Sequence, residues 1–227
     1  MIISTGLDKE SDDEQEIIFY ELNPQKQDLR FFWKNENGEI FKNIETLKED
    51  LIAKGKKLLF AMNGGMYLKN YMPQGLYIEN GKILAQLDSV EEGYGNFYMK
   101  PNGVFYLDSA NQPEICLTKD FKYKKKIRFA TQSGPMLLIN GKIHSKFTFE
   151  SKNIHVRNGV GILPNGNLLF AMSKEKINFY DFATFFKSKG CKNALYLDGF
   201  VSRTYLPSKK WMQTDGNYAI IIAELEK

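Results

Sequence analysis

NALYLDGFVSR, residues 193–203, runs an apolar strand pattern from Ala194 to Leu197 straight into Asp198 and Gly199. A carboxylate that ends a buried strand ahead of a glycine, a residue free to take positive φ, is held on a rigid element and faces an opening. KKLLFAMNGGMY, residues 56–67, repeats the device: its apolar run, Leu58 to Met62, ends in Asn63, Gly64 and Gly65. Each strand follows an amphipathic stretch that stops at a glycine, and Gly55 and Gly190 lie eight positions before Asn63 and Asp198. The chain is therefore read as two helix-glycine-strand units that deliver Asn63 and Asp198 to comparable places. Singly, each is also an ordinary strand-ending turn, because Asn-Gly and Asp-Gly are common turn dipeptides. The repeated offset favours a site.

With 227 residues, 43% of them apolar, the chain can bury one substantial core, and one domain is expected. Its 31 basic and 27 acidic residues are too balanced to imply a nucleic-acid protein. The longest apolar runs, such as Tyr218 to Ala223, fall far short of the ~20 residues of a spanning helix. MIISTGLDKESDDEQE, at the start, has neither the basic region nor the apolar core of a signal peptide, so the chain is expected to be cytoplasmic or to have lost an export signal. Residues 1–16, polar and without period, are expected to form a mobile arm ahead of a domain at 17–227. Cys116 and Cys191 read as two separate buried thiols.

Ile17 to Tyr20 and Leu29 to Trp33 read as strands, with a turn at Asn37-Gly38. Ile44, Leu47 and Leu51 recur at helical spacing before the Gly55 stop. Beyond the first corner, Asn80-Gly81, Asn102-Gly103, Asn140-Gly141 and Asn165-Gly166 sit between apolar runs and predict four hairpins, hence antiparallel sheet. The Asn-Gly pairs at Asn63 and Asn158 are not flanked this way and stand apart. FKYKKKIRF, residues 121–129, is either a phosphate or nucleic-acid patch or a lysine-protected loop or edge, and the second reading is favoured because no aromatic stacking pattern accompanies it. In INFYDFATFFKSKG, residues 177–190, Asn178 is a plausible N-cap and Phe179, Phe182, Ala183 and Phe186 form a core stripe. The fold class expected is α+β: one domain with a largely antiparallel or mixed sheet and two main helices packed on it.

No P-loop, GxGxxG after a strand, GxSxG, HExxH or CxxC occurs, and two histidines, His144 and His155, exclude a histidine-rich metal centre. The chain instead places a polar residue at nearly every glycine-rich corner: Asn63-Gly64-Gly65, Gln132-Ser133-Gly134, Arg157-Asn158-Gly159, and Asp198-Gly199 with Ser202. Gly64 and Gly65 are candidates for an anion-binding nest of backbone N–H groups, with Ser133 and Ser202 as hydroxyl donors. Arg157 offers a fixed charge and fork geometry suited to phosphate or carboxylate; a surface arginine is the competing reading. His155 alternates onto the same face as Arg157 and is given a positioning role or none. Glu150 and Asp181 are weaker candidates for a second carboxylate.

AMNGGMY, TQSGPMLL, VRNGVGI, FYDFATFF and NALYLDGFVS, in this order, resemble the phosphodiester glycosidase family over about Phe60 to Ser202. The resemblance implies a hydrolase that cleaves the glycosidic bond of a sugar 1-phosphodiester, releasing sugar and a phosphate monoester. It marks Asn63, Gly64, Ser133, Gly134, Arg157, Asp198 and Gly199 as the site. Together with the glycine corners read above, Asn63, Arg157 and Asp198 are expected to be catalytic and Gly64, Gly65, Gln132, Ser133, Gly134, Gly199 and Ser202 substrate-binding, and no metal or cofactor is expected. The partner implied is a small molecule or glycan carrying a phosphodiester, with no nucleic acid, membrane span or protein partner, in a periplasmic or extracellular setting. One branch of the family reads DGGGS where this chain reads DGFVS, so Phe200 and Val201 replace two glycines. Two other classes stay open: a non-catalytic glycan-binding or cell-envelope protein of the same fold, and a metal-assisted phosphodiesterase.

Overall fold

A computed structural model describes residues 16–123, 126–198 and 201–227. Residues 1–15 of the arm expected at 1–16, residues 124–125 and the pair Gly199-Phe200 lie outside the described residues. In chain order the strands and helices are β1 (Ile17–Leu22), β2 (Asp28–Phe32), α1 (Ile44–Ala53), β3 (Leu58–Asn63), β4 (Tyr77–Glu79), β5 (Lys82–Ala85), β6 (Gly103–Asp108), β7 (Pro113–Leu117) and β8 (Ile127–Ser133). They continue as β9 (Met136–Ile139), β10 (Lys142–Ile143), β11 (Asn158–Ile162), β12 (Leu168–Ser173), α2 (Phe179–Ser188), β13 (Ala194–Tyr196), β14 (Thr204–Leu206), β15 (Trp211–Met212) and β16 (Ile221–Leu225). Among the described residues no helix is long and apolar enough to cross a membrane.

The α+β class holds, with the strands divided among three antiparallel sheets, ordered β1-β12-β11-β13-β9-β10, β15-β14-β3-β16-β2 and β5-β4-β8-β6-β7. All three sheets send side chains into one core, where Phe31, Phe60, Phe105, Phe129 and Phe170 meet with ring centroids 5.2–6.2 Å apart. Alternation along the strands gives each sheet a second face, which a helix covers on two of the three and Phe121 and Leu87 cover on the third. Phe60 and Met62 of β3 join the shared core, while Ala61 turns outward to Ile44, Leu47 and Leu51 of α1. Leu195 of β13 faces inward, while Ala194 and Tyr196 meet Phe179, Phe182, Ala183 and Phe186 of α2. The side chain of Asn43 caps α1 and that of Asn178 caps α2. Gly55 and Gly190 adopt φ +67° and +83°, so each helix stops in the left-handed conformation that favours glycine.

Three of the four expected hairpins form: β4 with β5, β9 with β10, and β11 with β12. Asn102-Gly103 does not form one. Residues 96–98 fold as a short 3-10 helix instead of a strand, and the buried Asn102 side chain donates to the Phe97 carbonyl at 3.1 Å. Gly103 opens β6 where a Cβ would come within 2.7 Å of the Cys116 carbonyl, so packing rather than a turn explains the glycine. Cys191 is buried and Cys116 half-buried, and they are not joined in a disulfide.

Candidate functional site

β3 and β13 belong to different sheets, yet their ends meet. Asn63 Nδ2 donates to Asp198 Oδ2 at 3.1 Å and also to the Val201 carbonyl. Asn63 Oδ1 accepts from Asn158 Nδ2 at 3.0 Å and from the Arg203 amide at 2.7 Å. Asn158, the first residue of β11, closes the network: its Nδ2 also donates to the Asn63 carbonyl at 2.8 Å, and its Oδ1 accepts from the Asp198 amide at 3.0 Å. Two buried carboxamides thus fix both the backbone and one carboxylate oxygen of Asp198. The hydroxyls of Ser133 and Ser202 brace the same corner, through the Leu197 carbonyl at 2.6 Å and the Asp198 carbonyl at 3.2 Å.

Asp198 opens onto a cleft of about 430 Å³, lined also by Met66, Tyr67, Leu68, Lys69, Gln74, Asn96 and His155. That volume lies in the range of small-molecule sites. Asp198 is 4% exposed and is the one carboxylate among the lining residues, so charge sits at the wall of a narrow space. Tyr67 is held rigid by parallel stacking on Tyr71, 5.6 Å between centroids at 8°, and its hydroxyl donates to the Asn217 carbonyl at 2.5 Å. Burial, with the Asp198 charge next in size, pushes the Tyr67 phenol up to about 12. A second hollow of about 480 Å³, between Lys100-Asn102 and Leu117-Lys119, contains none of the expected site residues.

Arg157 is fully buried. Its Nε donates to the Ile177 carbonyl at 2.8 Å, Nη2 to the Asn153 carbonyl at 2.8 Å and Asn153 Oδ1 at 3.1 Å, and Nη1 to Tyr196 Oη at 3.3 Å. The guanidinium lies 3.5 Å from the Phe179 ring centroid and has no carboxylate partner among the described residues. Burial lowers its affinity for the proton. Tyr196 lies within electrostatic reach of both Arg157 and Asp198, and Arg157 is not among the residues that line the cleft. Segment 155–157 makes only an isolated bridge, His155 with Ile177, and lies outside the β11 ladder; strand alternation therefore does not apply, and His155 is exposed while Arg157 turns inward.

The glycines serve protein packing. A Cβ on Gly64 would come 2.5 Å from Ile222 Cδ1, and the Gly64 amide donates to the Ile220 carbonyl at 2.9 Å. Gly65 has φ +75°, and a Cβ there would fall 2.2 Å from Thr131 Oγ1. Gly65→Ala therefore combines left-handed strain with overpacking against a buried strand and is expected to cost about 2–4 kcal/mol, read as a lower denaturant midpoint at constant m. Gly134 packs on Asn102, where a Cβ would meet that side chain at 2.6 Å. Gln132 spends its amide on the Leu76 and Asp88 amides, the Asp88 carbonyl and Thr118 Oγ1, tying the 86–99 loop to β8. Asp181 caps α2 with Asn178, while Glu150 is exposed; neither lines the cleft. Gly199 lies outside the described residues.

Asn158 was visible in the sequence as an Asn-Gly pair without hairpin flanks, but its bridging role was not. Tyr67, Lys69, Gln74 and Asn96 carried no signal beyond Tyr67 and its neighbours following the glycine corner.

The family described as phosphodiester glycosidase matches residues 56–220, which include both glycine corners and the Arg157-Asn158 turn. The uncharacterised protein YigE of Escherichia coli K12 is 41% identical over 188 residues, 82% of this chain and 73% of its own length. The catalytic domain of zebrafish N-acetylglucosamine-1-phosphodiester alpha-N-acetylglucosaminidase, auto-inhibited by its pro-peptide, superposes with TM-score 0.65 at 17% identity, covering 93% of this chain and 82% of that one. A hypothetical protein from Synechocystis gives TM-score 0.58 at 13% identity, covering 93% and 59%. At these identities the two structures bear on the fold alone.

Proposed function

Because the chain belongs to the phosphodiester glycosidase family, we propose that it hydrolyses the bond between the anomeric carbon and the bridging oxygen of a sugar 1-phosphodiester. The observation that carries this reading is Asp198, the one carboxylate among the described residues that line the cleft, fixed by Asn63 and Asn158. An ordinary glycosidase uses two carboxyl groups, one of them to protonate an alkoxide leaving group. A phosphate monoester, with a second pKa of about 6, leaves with little protonation, so one carboxylate is enough. Water adds to the anomeric carbon as the carbon-oxygen bond breaks, and the electron pair of that bond departs on the phosphate. Asp198 acts on the anomeric side, as base, nucleophile or negative charge beside the oxocarbenium-like carbon. Asn63 orients the carboxylate. Arg157, behind Tyr196, contributes a fixed positive charge and holds the 153–157 turn. Tyr67, Met66 and Leu68 provide the apolar wall against which a sugar ring packs.

Hydrolysis in H₂¹⁸O tests the reading by mass spectrometry of both products. Label in the sugar is the expected result, with an uncharged aryl glycoside turned over poorly. Label in the phosphate means P–O cleavage, and no turnover across a panel of sugar 1-phosphodiesters leaves a binding protein; either overturns the proposal.

A further inference from the structure

The reaction just described needs a receptor for the phosphate, and Arg157 does not face the cleft. We propose, on that reading of the cleft, that Lys69 and His155 form the anion subsite that binds the phosphate group of the substrate. They are the two lining side chains able to carry positive charge, and both are exposed. Among the described residues neither side chain is taken up by a hydrogen bond or an ion pair, in contrast to the four bonds on the Arg157 guanidinium. Their backbones are nonetheless fixed. His155 exchanges two hydrogen bonds with Ile177, at 3.1 and 2.9 Å, and the Lys69 turn is closed by Leu68 to Met72 at 2.9 Å and Tyr71 to Leu68 at 2.8 Å.

The arrangement gives the cleft a polarity. Asp198 is 4% exposed, with its negative charge at the wall, while Lys69 and His155 stand at solvent-exposed positions. A ligand whose anomeric carbon gains positive charge and whose other end is an anionic diester fits in one orientation only. Lysine suits a phosphate as a mobile point charge, and an imidazole supplies at least one N–H donor in either charge state. The same geometry gives an uncharged glycoside nothing to hold on the outer side.

Two probes test the subsite: inorganic phosphate, titrated with NMR observation of the His155 ring and the Lys69 side chain, and glucose 1-methylphosphate in a turnover assay. Saturable shifts at both residues are expected, with affinity for phosphate falling at least about tenfold in Lys69→Gln/His155→Gln. Glutamine at two exposed positions leaves the fold in place, which the remainder of the spectrum verifies. No saturable shift at these residues, or unchanged affinity in the double variant, overturns the subsite. Phosphate binding that depends on both residues without hydrolysis of any sugar 1-phosphodiester keeps the subsite and defeats the glycosidase reading. Hydrolysis with an unchanged KM in the double variant does the opposite.

Discussion

Asp198→Asn is expected to lower turnover of a sugar 1-phosphodiester by at least about 10²-fold, the lower end of what a positioned acid or base contributes. The substitution is close to isosteric. The Asp198 amide would still donate to Asn158 Oδ1, and the carboxamide oxygen would still accept from Asn63 Nδ2, so the corner that joins the two sheets keeps these two bonds. Ala194, Leu195 and Leu197 supply the packing of that strand, so the charge is not needed to fold it. What disappears is the negative charge at the wall of the cleft, and with it any role as base, nucleophile or electrostatic partner of the anomeric carbon. Binding of a sugar phosphate should persist. If Asp198 only ends a strand, activity is retained, and any loss tracks the melting temperature. Measuring melting temperature, ligand affinity and turnover on one preparation separates the cases, and unchanged turnover removes Asp198 from the mechanism.

Local signals and long-range contacts divided the legibility of this chain. The two helix-glycine-strand units could be read because everything in them is local: Asn43 and Asn178 as caps, Gly55 and Gly190 as stops, Asn63 at the end of β3 and Asp198 two residues past β13. Hairpin turns obey the same logic at Asn80, Asn140 and Asn165, and fail at Asn102 because its side chain is recruited by Phe97 from a neighbouring turn. Division into three sheets was not legible, since it depends on pairings such as β1 with β12 and β3 with β16, whose partners are far apart in the chain. The site splits in the same way. Asn63 and Asp198 announced themselves through adjacent glycines, whereas the Asn158 bridge exists only once three strand ends converge. The expectation that His155 stands beside Arg157 rested on strand alternation, but that segment makes only one isolated bridge. The aromatic cage that encloses the arginine is built by Phe179 and Tyr196, contributed from α2 and β13.

That cage makes Arg157→Lys a substitution with a large expected effect on stability, of the same size as that of Gly65→Ala. A fully buried cation with no carboxylate partner among the described residues is held by hydrogen bonds and by the faces of two aromatic rings, and here the hydrogen bonds span three segments: Asn153, Ile177 ahead of α2, and Tyr196 in β13. A planar fork can serve all three while its face lies 3.5 Å from the Phe179 centroid. An ammonium on a flexible stem has three donors at one point and no face, so the Ile177 and Asn153 carbonyls cannot both keep their partner. Losing one or two hydrogen bonds to a charged group, and leaving a buried charge worse solvated, is expected to cost about 2–4 kcal/mol. For a domain of this size that corresponds to roughly 4–16 °C in Tm. Turnover should fall as well, because the Ile177 carbonyl that Arg157 holds also accepts from the His155 amide, and a shifted His155 weakens the phosphate subsite. Calorimetry at neutral pH, paired with kinetics well below the melting transition, reads both effects. A Tm within 2 °C of wild type, as an order-of-magnitude threshold, together with unchanged kinetics would mean that the cage neither stabilises the fold nor positions the turn. An unchanged Tm with a much higher KM for the anionic substrate alone would mean that the guanidinium leaves its cage to meet the phosphate, and the subsite would then belong to Arg157 rather than to Lys69 and His155.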